Sequence, residues 1–457
     1  TFRTFDPRIL YLCCFDGITY RNNKGIESYW SYSGFSAGSA GVANVNDYTG
    51  NLAHVVPLAS TVSEIMPVSL SMVYNAYCSQ YIYTAGKNSS NLTSPGKGWR
   101  LNYQQTLLPS SEYGLTGESA ENFPYVYADG DGTEHYIAKT TEDNKTVYKD
   151  EDGLGYTFTK LSDNTMKLSQ DDGSYMLFNT KGNLTQIVDN SGNKILLTYD
   201  STGKKLARIT DGTGHYYHIA YYRNSTDTAD TDFIETITDN AGRVIRFITE
   251  DCLLKGVILQ DTQTKAYFRY IANDEHLLSY VWCNDKNGLA FDYTTRAKAS
   301  RIARVTEFSA TGADVAVSAR TIGAITTFDR VAYNTTVIRS PGIDGINGAV
   351  TSGNGNDDII ATLQFDNFGR TVSQQVKYGN GESVGAGAYT YTGDENEESR
   401  NRIRSSATLN KNTVNLLTNP NAEGTTGWTI HNSTGNVAYS YAADTTESYT
   451  GKQSLKL

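Results

Sequence analysis

Apolar side chains recur at every second position along the middle of this 457-residue chain, and the pattern restarts after each of three glycines. The matching positions lie three, five and seven residues after Gly192, Gly214 and Gly242: Ile195, Leu197 and Tyr199; Tyr217, Ile219 and Tyr221; Ile245, Phe247 and Thr249. Side chains two residues apart share one face of a β-strand. The pattern therefore predicts strands that each bury one face.

Two kinds of turn separate these strands. In the first, an aspartate stands three residues before each glycine, giving the pairs Asp189 and Gly192, Asp211 and Gly214, and Asp239 and Gly242. The second follows an aromatic residue, as in Phe178-Asn-Thr-Lys-Gly182, Tyr199-Asp200-Ser-Thr-Gly203 and Phe365-Asp366-Asn-Phe-Gly369-Arg370. An Asp or Asn opens a turn through side-chain hydrogen bonds to the backbone, and glycine supplies the positive φ that closes it.

Each unit is therefore predicted to be a β-hairpin. A single hairpin cannot bury its own apolar face, so successive hairpins must stack side by side. One spacing conflicts with plain strands: Leu184 and Ile187 are three residues apart, which would place them on opposite faces. Either a β-bulge or burial of both faces would reconcile the two positions.

Composition favours the same fold class. The chain has 33 Tyr and 41 Gly, residue types that suit strands and turns respectively, and it shows no amphipathic helix of ordinary length. We therefore predict an all-β chain of stacked antiparallel hairpins that form a spiral or curved sheet, with a separate N-terminal β region.

Charge and cysteine usage argue against several classes of function. The net charge is −10 and the longest run of basic residues is Lys204-Lys205, so no basic patch for nucleic acid is expected. The five cysteines are irregularly spaced and indicate neither a zinc site nor a disulfide framework. The longest apolar run, residues 9–15, is far shorter than the roughly 20 residues of a membrane-spanning helix.

The turn and strand pattern resembles the YD repeats of Rhs proteins, teneurins and related bacterial shells. Tyr199-Asp200-Ser-Thr-Gly203 and Phe365-Asp366-Asn-Phe-Gly369-Arg370 carry the likeness, and residues 45–52, 66–75 and 96–103 resemble the domain that introduces the repeats. The resemblance covers roughly residues 26–400. It implies a spiral β-sheet that closes into a hollow shell, which encloses a C-terminal toxin or displays adhesive modules.

The sequence departs from that pattern after residue 250, where one clear repeat follows and neither a core-closing segment nor a toxin domain is found. We therefore expect an open arc of sheet. The predicted organisation is an N-terminal β region (1–125), the repeat sheet (126–392), a linker (393–412) and the start of a jelly-roll module that resembles carbohydrate-binding modules (413–457).

Several short patterns could carry chemistry, but each has a simpler structural explanation. Ser36 lies in a G-x-S-x-G pattern whose following residues are glycine-rich, unlike the helix of a nucleophile elbow. His215 and His218 are three apart on a predicted strand, so without a bulge they cannot ligate one ion. The Asp129-Gly-Asp131-Gly pattern lacks the remaining ligands of an EF-hand and favours a hairpin turn. Trp99, Trp282 and Trp428 are expected to pack in the fold rather than stack on sugars.

The sequence thus predicts no catalytic, cofactor-binding or metal-binding residues, and the chain is expected not to be an enzyme. The favoured function is a structural or display module of a large secreted or cell-surface bacterial protein. Its partners would be other domains of the same polypeptide, with a toxin as one candidate cargo. The alternatives are a surface adhesin that binds glycans through the C-terminal module and, less favoured, a glycoside hydrolase with two converging carboxylates.

Overall fold

Strands make up almost all of the regular structure. The computed structural model describes residues 25–81, 93–223, 230–259, 264–272, 276–283, 287–296, 299–310, 320–342, 355–392, 401–410, 442–444 and 454–456. The helices in this part of the chain are short: α1 (Ala76–Tyr81), α2 (Gly117–Asn122) and two 3₁₀ turns, Gly38–Ala40 and Ser110–Tyr113. The prediction of an all-β fold is confirmed.

A five-stranded antiparallel sheet, here called the N-terminal sheet, comes first. Its strands are paired in sequence order. They are β1 (Tyr32–Ser36), β2 (Val42–Asn46), β3 (Leu52–Ser60), β4 (Ser69–Asn75) and β5 (Trp99–Leu101).

A second, much longer antiparallel sheet of 24 strands follows, here called the long sheet. Its strands are β6 (Thr106–Pro109), β7 (Tyr125–Ala128), β8 (Glu134–Glu142), β9 (Lys145–Asp150), β10 (Thr157–Lys160), β11 (Met166–Ser169), β12 (Tyr175–Phe178), β13 (Leu184–Val188), β14 (Lys194–Tyr199), β15 (Leu206–Thr210), β16 (Tyr216–Arg223), β17 (Asp230–Asp239), β18 (Val244–Glu250), β19 (Leu253–Leu259), β20 (Thr264–Tyr270), β21 (Leu278–Cys283), β22 (Asn287–Arg296), β23 (Ala299–Ala310), β24 (Arg320–Ala332), β25 (Thr335–Ser340), β26 (Ile359–Phe365), β27 (Thr371–Tyr378), β28 (Ser383–Tyr391) and β29 (Ile403–Asn410).

Between its two end strands, every strand of the long sheet pairs with the strand before it and the strand after it in the chain. Within the described ranges, β6 forms a ladder only with β7 and β29 only with β28, so these two strands are the ends of an open sheet. An isolated bridge also joins Thr106 of β6 to Asn183, just before β13. Successive hairpins therefore share one continuous hydrogen-bonded ladder. This confirms the predicted stacking of antiparallel hairpins.

A bulge near the start of β13 reconciles the spacing of Leu184 and Ile187. Phe178 pairs with Leu184 and Met176 with Ile187, and the register shifts between Leu177 and Phe178. The extra residue turns Leu184 onto the face that Ile187 occupies. The same shift recurs just before an aromatic residue near the end of other strands, at Tyr199, Tyr221, Tyr270, Tyr293, Phe365 and Tyr391.

The long sheet bends around the N-terminal sheet. Hydrogen bonds join the segment around the N-terminal sheet to long-sheet residues spread from 213 to 368: Ser63 with Thr213, Trp99 with Tyr270, Tyr74 with Leu278, Gly50 with Ile302, Asp47 with Thr336, and Trp30 with Phe368. One hydrophobic cluster contains buried residues of both sheets, among them Trp99 and Phe268, whose rings lie 4.8 Å apart. The apolar face of the long sheet is therefore covered by the N-terminal sheet.

The described strands can be placed against the predicted domain boundaries. The long sheet includes β6, which lies before residue 126, and β29 lies within the segment 393–412. Of residues 413–457, the structure describes the paired strands β30 (Ala442–Asp444) and β31 (Ser454–Lys456), and the rest of the predicted jelly-roll segment lies outside the described residues. In the described ranges, no helix has the length and apolar character needed to cross a bilayer.

Candidate functional site

The turn residues of the repeats lie between paired strands and share one geometry. Asp189 Oδ1 accepts hydrogen bonds from the backbone N–H groups of Ser191 and Asn193, both at 2.9 Å. Gly192 closes the turn with φ +84° and donates its N–H to the Asp189 carbonyl. The same carboxylate-to-backbone pattern is found at Asp200, Asp211, Asp239 and Asp366, and positive φ at Gly203, Gly214, Gly242 and Gly369.

A tyrosine at the end of a strand ties each of several repeats to the strand before it. The hydroxyl of Tyr199 donates to the Leu184 carbonyl at 2.7 Å, and the hydroxyl of Tyr221 donates to the Leu206 carbonyl at 2.9 Å. Three more tyrosines make the equivalent bond: Tyr270 to Leu254, Tyr293 to Leu278, and Tyr391 to Thr371, each at 2.8 Å. Each acceptor carbonyl belongs to a residue at the register shift of the preceding strand pair, so the hydroxyl satisfies a carbonyl where the ladder is disrupted.

Phe365 occupies the position of these tyrosines without a hydroxyl group, and the residues after it compensate differently. Arg370 donates through Nε to Asp366 Oδ2 at 2.7 Å, and its guanidinium lies 4.3 Å from the ring centre of Tyr391. This ion pair closes the turn at Asp366 and Gly369, and the guanidinium covers the aromatic ring of the next repeat.

The other sequence candidates occupy ordinary structural positions. Ser36 ends β1, and its hydroxyl accepts the N–H of Gly38. His215 contacts Asp211 at 3.3 Å in a turn, while His218 is exposed on β16. Trp99 and Trp282 are buried, and Trp428 lies outside the described residues.

The strongest constellation of titratable groups surrounds His135, on β8. Glu27 precedes β1, Asp129 begins the turn between β7 and β8, and Asp152 follows β9. Pairing of β7 with β8 and of β8 with β9 brings Asp129, His135 and Asp152 together. We call Glu27, Asp129, His135 and Asp152 the His135 cluster.

Both ring nitrogens of His135 face carboxylates. Nδ1 lies 2.9 Å from Asp152 Oδ2, whereas Nε2 lies 3.4 Å from Glu27 Oε1 and 3.7 Å from Asp129 Oδ2. The side chain of His135 is 1% exposed, and its ring stacks on Tyr127 with centroids 5.6 Å apart. One imidazole thus stands among three carboxylates in a site almost closed to water.

The carboxylates of the cluster are held in place by the backbone. Asp129 Oδ1 accepts the N–H groups of Asp131, Gly132 and Thr133, which leaves Oδ2 as the oxygen that faces His135. The N–H of Glu27 is bonded to the hydroxyl of Tyr32 at 2.9 Å. The backbone therefore fixes the carboxylate of Asp129, and the Tyr32 hydroxyl anchors the main chain at Glu27.

The close approach of these carboxylates to the imidazole shifts the pKa values of the cluster. Burial alone would lower the pKa of His135, but the surrounding carboxylates of Asp129, Asp152 and Glu27 favour the charged ring, outweigh burial and raise that pKa well above its usual value. Burial raises the pKa of Glu27 despite the attraction of His135. For Asp129, burial opposes ionisation, but the nearby imidazole of His135 prevails and lowers the pKa.

A cavity of about 410 Å³ adjoins the His135 cluster, where the far end of the long sheet returns to its beginning. Asp152 lines this cavity together with Trp30, Tyr389, Tyr391 and Asn401. Asn401 Nδ2 donates to the Asp152 carbonyl at 2.8 Å across 249 residues of sequence. We call this contact region the seam.

Sequence reasoning missed both the tyrosine bonds and the His135 cluster. A signal for the first was present, because Leu184 and Tyr199, Leu206 and Tyr221, and Leu278 and Tyr293 are all 15 residues apart. The cluster gave no comparable signal: Asp129 and Asp152 reach His135 through pairing of neighbouring strands, but Glu27 lies in a distant segment of the chain and meets it through tertiary packing.

The chain matches no protein-family model and no curated protein sequence. Solved structures similar to it include a TcdB2-TccC3 structure (11% identity, TM-score 0.29, 82% of this chain and 22% of that chain). A porin-like protein from Bacteroides uniformis is 10% identical with a TM-score of 0.17 (55% and 93% of the two chains). The Photorhabdus luminescens Tc holotoxin pore, with a mutated TccC3, is 10% identical with a TM-score of 0.16 (81% and 16%).

This chain thus spans about a fifth of the length of the TcdB2-TccC3 chain, 22%. Identities and TM-scores in this range support no inference about what the chain binds or does.

Proposed function

We propose that this chain is a non-enzymatic wall segment of a β-sheet shell of the Rhs/YD-repeat type, within a large secreted or cell-surface protein. The wall encloses or displays other domains of the same polypeptide, a toxin being one candidate. The observation that carries this proposal is the curvature of the long sheet, which bends around the N-terminal sheet and returns to its own beginning at the seam.

The chemistry of the repeats supports a wall role. Each unit contributes two strands and a bulge to a ladder that the next unit extends. The tyrosine bonds stabilise the disrupted ladder at the bulges, where each strand bends. Repetition of one bend in one direction generates a curved surface rather than a flat sheet.

The placement of the carboxylates also favours a structural role. Glu27, Asp129 and Asp152 converge on the buried ring of His135 rather than on opposite walls of an open cleft. A glycoside hydrolase needs two carboxyl groups that flank a bound sugar. The geometry of this cluster therefore favours a structural role inside the fold over a role in glycoside hydrolysis.

Single-particle electron microscopy of the full-length polypeptide tests the proposal. We expect residues 106–410 to form part of a continuous curved wall, with another domain of the same chain against one face. Density in which both faces of the long sheet beyond the N-terminal sheet contact only solvent would overturn it.

Limited proteolysis of the same full-length protein separates enclosure from display. If the wall encloses a domain, that domain resists cleavage until denaturant opens the long sheet. A displayed domain is cut under native conditions while residues 25–410 stay intact. Separate release of the N-terminal sheet and the long sheet under native conditions would contradict a single wall unit.

A further inference from the structure

We propose that the His135 cluster is a binding site for a divalent transition metal of the zinc class, with His135 Nε2, Glu27 and Asp129 as ligands and Asp152 as the residue that positions the imidazole. A bound ion would link the segment before β1 to the beginning of the long sheet, next to the seam. No part of the proposed wall role requires this site, and the inference does not depend on that role.

The distances between ligand atoms carry the inference. Nε2 lies 3.4 Å from Glu27 Oε1 and 3.7 Å from Asp129 Oδ2, and the candidate ligand atoms of the three residues all lie within 4.8 Å of one another. Direct N–H···O hydrogen bonds are shorter, about 2.7–3.2 Å. Two atoms bound to one zinc ion at about 2.1 Å stand roughly 3.4 Å apart in a tetrahedral site.

The hydrogen bond on the other ring nitrogen gives independent support. Nδ1 of His135 lies 2.9 Å from Asp152 Oδ2, a carboxylate that is 1% exposed. Metal-bound histidines characteristically donate their other N–H to a carboxylate, which orients the ring and selects the tautomer that leaves Nε2 free for the metal. The stacking of the ring on Tyr127 fixes its plane further.

Charge and access are consistent with a cation. Three carboxylates surround one imidazole, so even a protonated ring would leave net negative charge in a buried site, which a divalent ion would neutralise. The side chain of Asp129 is 22% exposed and provides a path from solvent. A nitrogen ligand beside carboxylates suits zinc, cobalt or manganese and disfavours calcium, which takes oxygen ligands.

The test titrates Zn²⁺, and separately Co²⁺, into the full chain after removal of metals with a chelator. We expect one equivalent of Zn²⁺ to bind by calorimetry, and Co²⁺ to give visible absorption bands of a protein-bound ion. His135→Gln should abolish binding of that equivalent. Asp152→Asn should weaken it by about 10–100-fold, as loss of an outer-shell partner does.

His215→Gln is the matched control, because His215 also contacts an aspartate, Asp211 at 3.3 Å, but lies in an exposed turn. Its Zn²⁺ affinity should equal that of the wild-type chain. Circular dichroism of each variant shows whether the β fold persists. If His135→Gln fails to fold, the Asp152→Asn measurement and the Co²⁺ spectrum of the unmutated chain still decide the test. Absence of stoichiometric binding to the wild-type chain, or equal affinity in Asp152→Asn, would overturn the proposal.

Discussion

The hydroxyl of Tyr199 donates a 2.7 Å hydrogen bond to the carbonyl of Leu184, the first residue of the neighbouring strand β13. Tyr199 follows the β-bulge that re-registers β14 against β15. The bond therefore joins the end of one strand to the start of the previous one at the point where the ladder is irregular. Its recurrence at four other tyrosines makes it the connecting element of the repeats.

Replacement of Tyr199 by phenylalanine should lower the local stability of the sheet by about 1–2 kcal/mol, because it leaves a buried carbonyl without a partner. Native-state hydrogen exchange of amides in β13–β15 measures that local free energy of opening. Tyr333→Phe is the control, since Tyr333 is 67% exposed. Equal protection in the two variants would show that the hydroxyl contributes nothing.

Alanine substitutions at two turn glycines should differ in cost, although the backbone is nearly the same. Gly192 has φ +84° and open space where the Cβ of an alanine would lie, so Gly192→Ala should cost roughly 1–2 kcal/mol of backbone strain alone. At Gly182, with φ +82°, a Cβ would lie 2.5 Å from the Leu107 carbonyl oxygen of β6. Gly182→Ala should therefore cost more, because β6 must also shift.

Denaturant unfolding of the two alanine variants compares them directly. A lower midpoint for Gly182→Ala is the expected result, with hydrogen exchange in β6 increased only in that variant. If both variants unfold at the same midpoint, the packing of β6 on the turn at Gly182 contributes nothing to the free energy of unfolding.

Acid should weaken the turns of the repeats. A hydrogen bond from the Asn193 side chain, with further bonds from backbone N–H groups of the turn, lowers the pKa of Asp189. A carboxyl group with a lowered pKa in the folded state contributes stability above its unfolded pKa of about 3.9. That contribution is lost as the pH falls through the lower folded value.

Asp189→Asn keeps an acceptor oxygen but removes the titration. Its stability should therefore depend less on pH than that of the wild-type chain below about pH 4, as measured by denaturant unfolding at a series of pH values. Asp171→Asn is the control, because Asp171 is an exposed turn residue whose carboxylate accepts no hydrogen bond from the described part of the chain. A parallel pH dependence for wild type and Asp189→Asn would contradict the prediction.

A histidine in the hydrophobic core should add a second pH dependence. Burial lowers the pKa of His54 to about 4, while its Nε2 bonds to the Ala40 carbonyl at 2.6 Å. The unfolded chain binds this proton near pH 6.5, so it holds more protons than the fold between about pH 6.5 and pH 4. Stability should fall as the pH drops through that window, by on the order of 3 kcal/mol at its lower end.

His54→Gln removes this proton uptake, and the difference between its pH–stability curve and that of the wild-type chain should flatten above pH 6.5. His218→Gln changes an exposed histidine of β16 and serves as the control. Wild-type and His54→Gln curves that run in parallel from pH 4 to pH 7 would show that His54 is not held neutral by burial.

The sequence by itself determined the fold class and the local pattern of strands and turns. Alternation of apolar residues defined the strands. It could do so because successive side chains of a strand point to opposite faces, whatever the strand packs against. The spacing of Leu184 and Ile187 left two explanations open, a bulge or burial of both faces, and the structure shows the bulge. These features depend on residues close together in the chain.

Tertiary structure alone decided the curvature, the seam and the His135 cluster. Asn401 meets Asp152 across 249 residues, and Glu27 reaches His135 from a different segment of the chain. Such contacts depend on the sum of many small rotations between strands, which no local pattern encodes. The sequence of each repeat determines how its strands pair with their neighbours. The accumulated bend of the sheet determines which distant side chains are brought into contact.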